Sequence, residues 1–322
     1  MTFNRLLISW LILISIIGII YFSYTIFADK AVRNTDNPYE YDIESYKKTD
    51  SQAYHFAEAK RISVNGSHLF AIAIGGKKDI YVSADTFLIR LDENGAEKDR
   101  FKLNQSAKCL ALDGENKCYL GETNVIEVLD EKGQRLNLWR DFDSNTIFTS
   151  LAIFKENIFA ADAANKIVYR LDKSGKQLGR IGEKDEAKGI PGFVIPSPYF
   201  DVAVDEQGFV WVANTGRHSL ENYTADGKLR SFWGKYGMDI AGFCGCCNPS
   251  HFALLSDGSF VTSEKGIARV KVYNAIGELV AVVASPDQFL AGTVGLDLAA
   301  DAKDQIYVLD PKNRIIRIFV KK

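Results

Sequence analysis

Residues 200–234 read FDVAVDEQGFVWVANTGRHSLENYTADGKLRSFWG. An apolar strand around Val202–Val204 meets an Asp-x-x-Gly turn at Asp205–Gly208, and a second strand follows as Val-Trp-Val. A third strand and a tight turn at Asp226-Gly227 then lead into a fourth. The same text recurs on both sides. Downstream stand HFALLSDGSFVTSEKGIARVKVYNAIGELVAVV from His251 and LDLAADAKDQIYVLDPKNRIIRIFV from Leu296. Upstream stand SLAIFKENIFAADAANKIVYRLDKSGKQLGRIG from Ser150, CLALDGENKCYLGETNVIEVLDEKGQRLNLW from Cys109 and AIAIGGKKDIYVSADTFLIRLDENGAEKDRF from Ala71. Short alternating strands in a repeat of roughly 40–50 residues are the signature of propeller blades. The expectation is therefore an all-β, six-bladed β-propeller over residues 59–322. The last unit ends at Lys322 after three strands, so Lys60–Val64 is predicted to supply its fourth and close the ring.

The whole chain has 322 residues, 47% hydrophobic and 25% charged, with a formal net charge of −2. No basic block exists to hold nucleic acid. Twelve per cent aromatic content excludes wholesale disorder.

Ahead of the repeats, Leu6–Ala28 is almost continuously apolar, flanked by Arg5 and by Asp29-Lys30. About 20 apolar residues span a bilayer as a helix, whereas the apolar part of a cleaved signal peptide is about 7–15 residues long. Ala28 would suit a cleavage site, but Ile26 two residues before it is large and branched. Residues 1–28 are therefore predicted to be a retained transmembrane signal anchor, and 29–58 a polar tether. The short N-terminal tail favours a propeller on the exported, periplasmic or extracellular side. Lys30, Arg33, Lys47 and Lys48 pull the other way against Arg5.

The repeat resembles the NHL unit. Val202–Gly234 stands where that family has an apolar strand, Asp-x-x-Gly, a Tyr/Trp-Val-Ala-Asp/Asn step and a final Phe-Gly. The resemblance covers residues 59–322 and implies a six-bladed propeller. Such propellers include binding scaffolds, amidating lyases, lactonases and membrane-tethered bacterial proteins, and fold does not choose among them. The Phe243–Pro249 segment with Ser263–Gly266 resembles a bacterial subgroup of the same family that carries a CGCCNP insertion.

In a propeller, the entry to each inner strand and the turn between the second and third strands share one face. The repeat register places Ala71, Cys109, Thr149, Asp201, His251 and Asp297 in a first ring there, and Ala84, Glu122, Asp162, Asn214, Glu264 and Asp310 in a second. Carboxylate and amide oxygens at a channel mouth suit a hard cation or a sugar. Equally, such side chains bond nearby backbone in turns. Cys109, Asp201, His251 and Asp297 make the first ring the more varied chemically.

One segment breaks the repeat: Phe243-Cys244-Gly245-Cys246-Cys247-Asn248-Pro249-Ser250-His251. Cys244, Cys246 and Cys247 with His251 suit a soft or borderline metal ion or an iron–sulfur centre. A disulfide or redox thiol pair is the competing expectation, favoured by export, and inert thiols the third. Adjacent Cys246 and Cys247 would diverge on extended backbone, while Gly245 lets Cys244 and Cys246 converge. Cys118 is expected in the core, and His218 at a turn. The expected function is a membrane-tethered binding or assembly module with a metal or redox-active cysteine site on the channel-mouth face, partnered by a membrane protein or redox complex. A metal-dependent lyase or hydrolase and a pure interaction scaffold are the alternatives.

Overall fold

A computed structural model describes residues 2–32, 46–47, 53–186 and 190–322, with helix side chains described over residues 10–25. The chain forms two units, 1–43 and 44–322, each described by itself.

The first unit contains α1 (Thr2–Val32). No helix among the described residues is long and apolar enough to cross a membrane. The expected transmembrane span is therefore not found there; the apolar run lies within α1, its side chains are described over residues 10–25, and the rest of Leu6–Ala28 lies outside the described side chains. Of the expected tether, residues 33–45 and 48–52 also lie outside the described residues.

The second unit is an all-β, six-bladed propeller. Its strands run from β1 (Phe56–Ser63) to β24 (Ile315–Lys321) and form six four-stranded sheets. Blades one to five take consecutive strands, from β2 (Leu69–Ile74) to β5 (Glu97–Lys102) in blade one through β18 (His251–Leu254) to β21 (Leu279–Ala284) in blade five. Blade six pairs β1 with β24, β24 with β23 (Ile306–Asp310) and β23 with β22 (Leu298–Ala300), so its outer strand comes from the start of the unit. The pairing runs antiparallel from Phe56↔Lys321 to Ser63↔Ile315, and Val64 N–H adds a bond to Arg314 O at 2.9 Å. Closure by residues 60–64 is thus observed, with the strand starting four residues earlier than expected. Arg317, buried in β24, donates to Glu58 of β1 at 2.6 Å across this seam.

The turn signature has a local cause. Asp92, Asp130 and Asp172 each accept two backbone N–H groups through Oδ1, from the residues two and four further on. The closing Gly95, Gly133 and Gly175 sit at φ +91°, +76° and +88°, the left-handed region where a Cβ is costly. Between blades the pleat buries aliphatic side chains in layers. The layer joining blades five and six includes Val270, Val272, Leu298, Val308 and Phe319.

Candidate functional site

All six inner strands face the central channel, a cavity of about 320 Å³. Its walls include every member of the first ring: Ala71, Cys109, Thr149, Asp201, His251 and Asp297. His251, the first residue of β18 (His251–Leu254), lies between two carboxylates from the neighbouring blades. Its Nδ1 is 3.3 Å from Asp297 Oδ1 and 3.9 Å from Asp201 Oδ2. Both carboxylates are tied to backbone. Asp201 accepts from Phe252 N–H at 2.7 Å and Val202 N–H at 3.0 Å, and Asp297 from Ile72 N–H at 2.8 Å and Leu298 N–H at 3.0 Å. The Phe252 and Ile72 bonds lace blade four to blade five and blade six to blade one.

Burial pushes the Asp297 carboxyl up to about 6; His251 opposes the shift and Asp201 adds to it. Burial raises Asp201 as well, again against His251. Cys109 is buried and its thiol is raised, by burial first and then by Asp297. Thr149 donates to Phe200 O at 2.6 Å. The mouth therefore combines an imidazole with two carboxyls whose ionised forms are disfavoured, an arrangement able to hold or move a proton.

The second ring is buried and does not line the channel. Asp162 accepts from the backbone of Ile147, Ala164 and Asn165, and Asp310 from the backbone and side chain of Asn313. Asn214 accepts from Val194 N–H and donates to Glu221 at 2.8 Å. Glu122 sits beside Glu127, and burial followed by that neighbour raises its carboxyl. The Ala164, Asn165 and Asn313 bonds are turn bonds of the kind expected from short carboxylates and amides, while the Ile147 and Val194 bonds tie this ring to the connection entering the same blade.

Glu264 differs. Its Oε1 meets Arg269 Nε and Lys271 Nζ, both at 2.7 Å, and its Oε2 accepts from Cys244 N–H at 3.2 Å. Arg269 and Lys271 also donate to the carbonyls of Asp239, Ile240 and Gly242, and Tyr273 donates to Ala241 O at 3.1 Å. Burial would raise Glu264, but Lys271 and Arg269 outweigh it and hold the carboxyl low. Burial takes Lys271 down to about 8. Blade five thus carries a buried ionic clamp that fixes the segment leading into the cysteines.

Within that segment the thiols do not arrange as expected. Gly245 turns the chain at φ +72°, yet the sulfurs that meet are those of Cys246 and Cys247, 3.1 Å apart. Cys244 is buried away from them, with Asn248 Nδ2 4.0 Å from its sulfur. Asn248 pins the loop to blade five. Its amide donates to Cys244 O at 2.5 Å and to Lys265 O at 3.0 Å, and its Oδ1 accepts from Lys265 N–H at 2.9 Å.

Cys246 is exposed and Cys247 buried. Burial would raise the Cys247 thiol, but Ser197, Cys246 and Lys265 together bring it below its ordinary value. Cys246, which shares the hydrogen bond, is raised. Lys265 donates to Ser197 Oγ at 3.1 Å and lies 4.6 Å above the Tyr199 ring, which packs edge-on against His251 at 5.9 Å. Tyr199 is the link between the thiols and the channel mouth. Sequence reasoning missed Ser197, Tyr199 and Lys265; the Ser-Glu-Lys-Gly text at 263–266 held the only signal for them.

No three His, Cys, Asp or Glu side chains among the described residues converge as metal ligands would. An iron–sulfur centre is held by four such ligands. With Cys244 turned under the loop and His251 committed to Asp297, the donor set does not fit one. Cys118 lies in the core as expected, burial raising its thiol to about 12. His218 occupies a turn at φ +56°, its ring 4.9 Å from Tyr236.

No family model matches the chain, and no curated protein matches its sequence. Solved structures do match. One is a catalytically inactive virginiamycin B lyase from Staphylococcus aureus with quinupristin, at TM-score 0.57 and 11% identity over 80% of this chain and 82% of that one. Another is the WD40 β-propeller domain of Doa1, at 0.58 and 11% over 83% and 97%. A third is a structural genomics protein of unknown function from Bacteroides thetaiotaomicron, at 0.59 and 13% over 83% and 72%. These likenesses show the fold alone. At such identities a virginiamycin B lyase and a WD40 domain serve equally well as neighbours, so neither brings its activity with it.

Proposed function

We propose that this chain is a membrane-tethered, NHL-type propeller that acts as a binding or assembly module and presents its channel-mouth face to a protein partner. One observation carries the reading. Ile147, Val194, Tyr236, Leu290 and Val294 are exposed apolar side chains, and all five lie in connections from a fourth strand to the next inner strand. Propeller topology puts those connections on the mouth face, together with the thiols, Lys265 and His251. Exposed apolar residues gathered at one functional end are what a partner surface requires. Of the other exposed large apolar side chains of the propeller, Leu136, Leu178, Leu229, Phe232 and Val280 lie on outer strands and Ile276 in a turn at the opposite face.

Tethering is supported by the apolar run Leu6–Ala28. The NHL assignment rests on the text of residues 200–234. A second reading, acid–base lyase or hydrolase chemistry, draws support from His251 held between Asp201 and Asp297.

A photo-crosslinking residue placed at Tyr236 or at Ile276 in the full-length chain, assayed in native membranes, tests the module. The expected result is one discrete adduct from position 236, none from 276, and loss of the adduct when Val194→Asp and Leu290→Asp charge the rim. Equal labelling from both faces, or an adduct indifferent to the rim charges, overturns it.

A further inference from the structure

The Cys246–Cys247 pair has a division of labour built into it. One sulfur is exposed, the other buried, and they touch at 3.1 Å. The buried sulfur faces the hydroxyl of Ser197 and the ammonium of Lys265, which are themselves bonded at 3.1 Å. Lys265 is held in place through both its backbone groups by Asn248, a residue of the cysteine loop itself. A cation and a hydroxyl beside one of two touching thiols favour a single shared proton, with the negative charge on the inner sulfur. Cys109, Cys118 and Cys244 are buried, and burial raises the thiol of each.

We infer that Cys246 and Cys247 form a thiol–disulfide exchange site for a disulfide-bearing polypeptide, in which Cys246 attacks and Cys247 resolves. Only Cys246 can be reached by a macromolecular disulfide. As its sulfur bonds to one sulfur of the substrate disulfide, the Cys246 proton passes to the Cys247 thiolate, and the other substrate sulfur leaves as a thiolate. That leaving thiolate takes up the proton from Cys247. The Cys247 thiolate, restored beside Lys265 and Ser197, attacks Cys246 Sγ, forms the Cys246–Cys247 disulfide and expels the second substrate thiolate. Two electrons move from the cysteine pair to the substrate disulfide, which departs as one thiol and one thiolate, the latter taking its proton from water. Lys265 and Ser197 are positioning residues, acting through the charge on Cys247. The inference deepens the partner-binding reading of the mouth face by naming the chemical group the partner would bring.

The test uses the reduced full-length protein in detergent and the aromatic disulfide 5,5′-dithiobis(2-nitrobenzoate). The wild type is expected to release two thionitrobenzoates in succession and to end with an unlabelled 246–247 disulfide by mass spectrometry. Cys247→Ser should release one and keep the label on Cys246, and Cys246→Ser should show no fast release. Lys265→Met should slow the second release by about threefold for each unit by which the Cys247 thiol pKa rises, since thiolate fraction and nucleophilicity partly offset. It should also move the pH profile of that step upward, which a merely structural role for Lys265 would not do.

A label that stays on wild-type Cys246, or fast release from Cys246→Ser, overturns the inference. So does tight capture of phenylarsine oxide without a second release, which would make the pair a site for a thiophilic ion. Melting curves of each variant separate loss of chemistry from loss of fold. Rim-dependent crosslinking from position 236 that survives Cys246→Ser would leave the binding module standing if the exchange fails.

Discussion

The Glu264 carboxylate, at the end of the second strand of blade five, accepts the backbone N–H of Cys244 at 3.2 Å. At the equivalent positions Asp162 and Asn214 likewise accept a backbone N–H from the connection entering their own blade, from Ile147 and Val194, while Asp310 bonds Asn313 of its own turn. Glu264 adds an ionic clamp, joining Arg269 and Lys271 to the loop that bears the thiols. One blade has been altered from the repeat, and the altered residues converge on the inserted segment.

Removing this carboxylate should be costly. Glu264→Ala leaves Arg269 and Lys271 buried without a counter-charge, and breaking a buried pair in this way costs roughly 3–5 kcal/mol. Asp310→Asn removes only local turn bonds and should cost about 1 kcal/mol. Denaturant unfolding measures both. In the Glu264 variant Cys244 should also become open to iodoacetamide under native conditions, because its loop loses its anchor. Equal costs for the two variants would show that the clamp has no special weight.

Much of this molecule is legible in its sequence, because the repeat is written in residues whose roles are local. Asp and Gly at fixed offsets specify turns, and alternating apolar residues specify inner strands, so the blade count, the first ring and closure by residues 60–64 follow from text alone. The thiol geometry does not. Whether Cys246 and Cys247 diverge depends on the backbone of a loop set by Asn248 and by a clamp some 20 residues downstream. Nor does the alignment reveal that Lys265 and Ser197 meet, since they come from a turn of blade five and the connection entering blade four.

Asp297 gives the channel mouth a pH signature. Its folded pKa, about 6, lies above the ordinary carboxyl value of 3.8, so the folded state binds its proton more tightly than the unfolded chain. The protonated carboxyl therefore adds stability that is fully present below about pH 4 and lost as pH rises through 6. The shift corresponds to about 3 kcal/mol by pH 7. His251, Asp201 and Cys109 face the same space. Asp297→Asn should remove this slope, so that the stability difference between variant and wild type changes between pH 4 and 7 and is flat above. A pH-independent difference would contradict the assignment.

The seam between β1 and β24 should show the opposite sign. Burial would raise Glu58, but Arg61 and Arg317 outweigh it and hold the carboxyl at about 2. The contribution of the Glu58–Arg317 pair is then present above the unfolded value near 4.5 and lost as pH falls through 2. Glu58→Gln should be less stable than the wild type above pH 5, and the two should converge in acid. Acid titration of both proteins by circular dichroism checks the direction, and a gap that widens in acid would refute it.

Cys109 offers a test of whether a ring position is chemical or merely filled. A Cβ added to Gly121 would stand 2.3 Å from Cys109 Sγ and 3.2 Å from Phe148 Cβ. Gly121→Ala therefore overpacks the junction between the channel wall and the second strand of blade two, at a cost of about 1–3 kcal/mol. Cys109→Ala removes the nearer obstacle, so the double variant should recover most of that loss, a coupling that a mutant cycle on unfolding free energies measures directly. Strong coupling, together with exchange chemistry at Cys246 and Cys247 unchanged in Cys109→Ala, makes Cys109 a space-filling member of the ring. If the double variant simply sums the two single losses, the strain lies with Phe148. If Cys109→Ala silences the exchange reaction, the thiol belongs to the site after all.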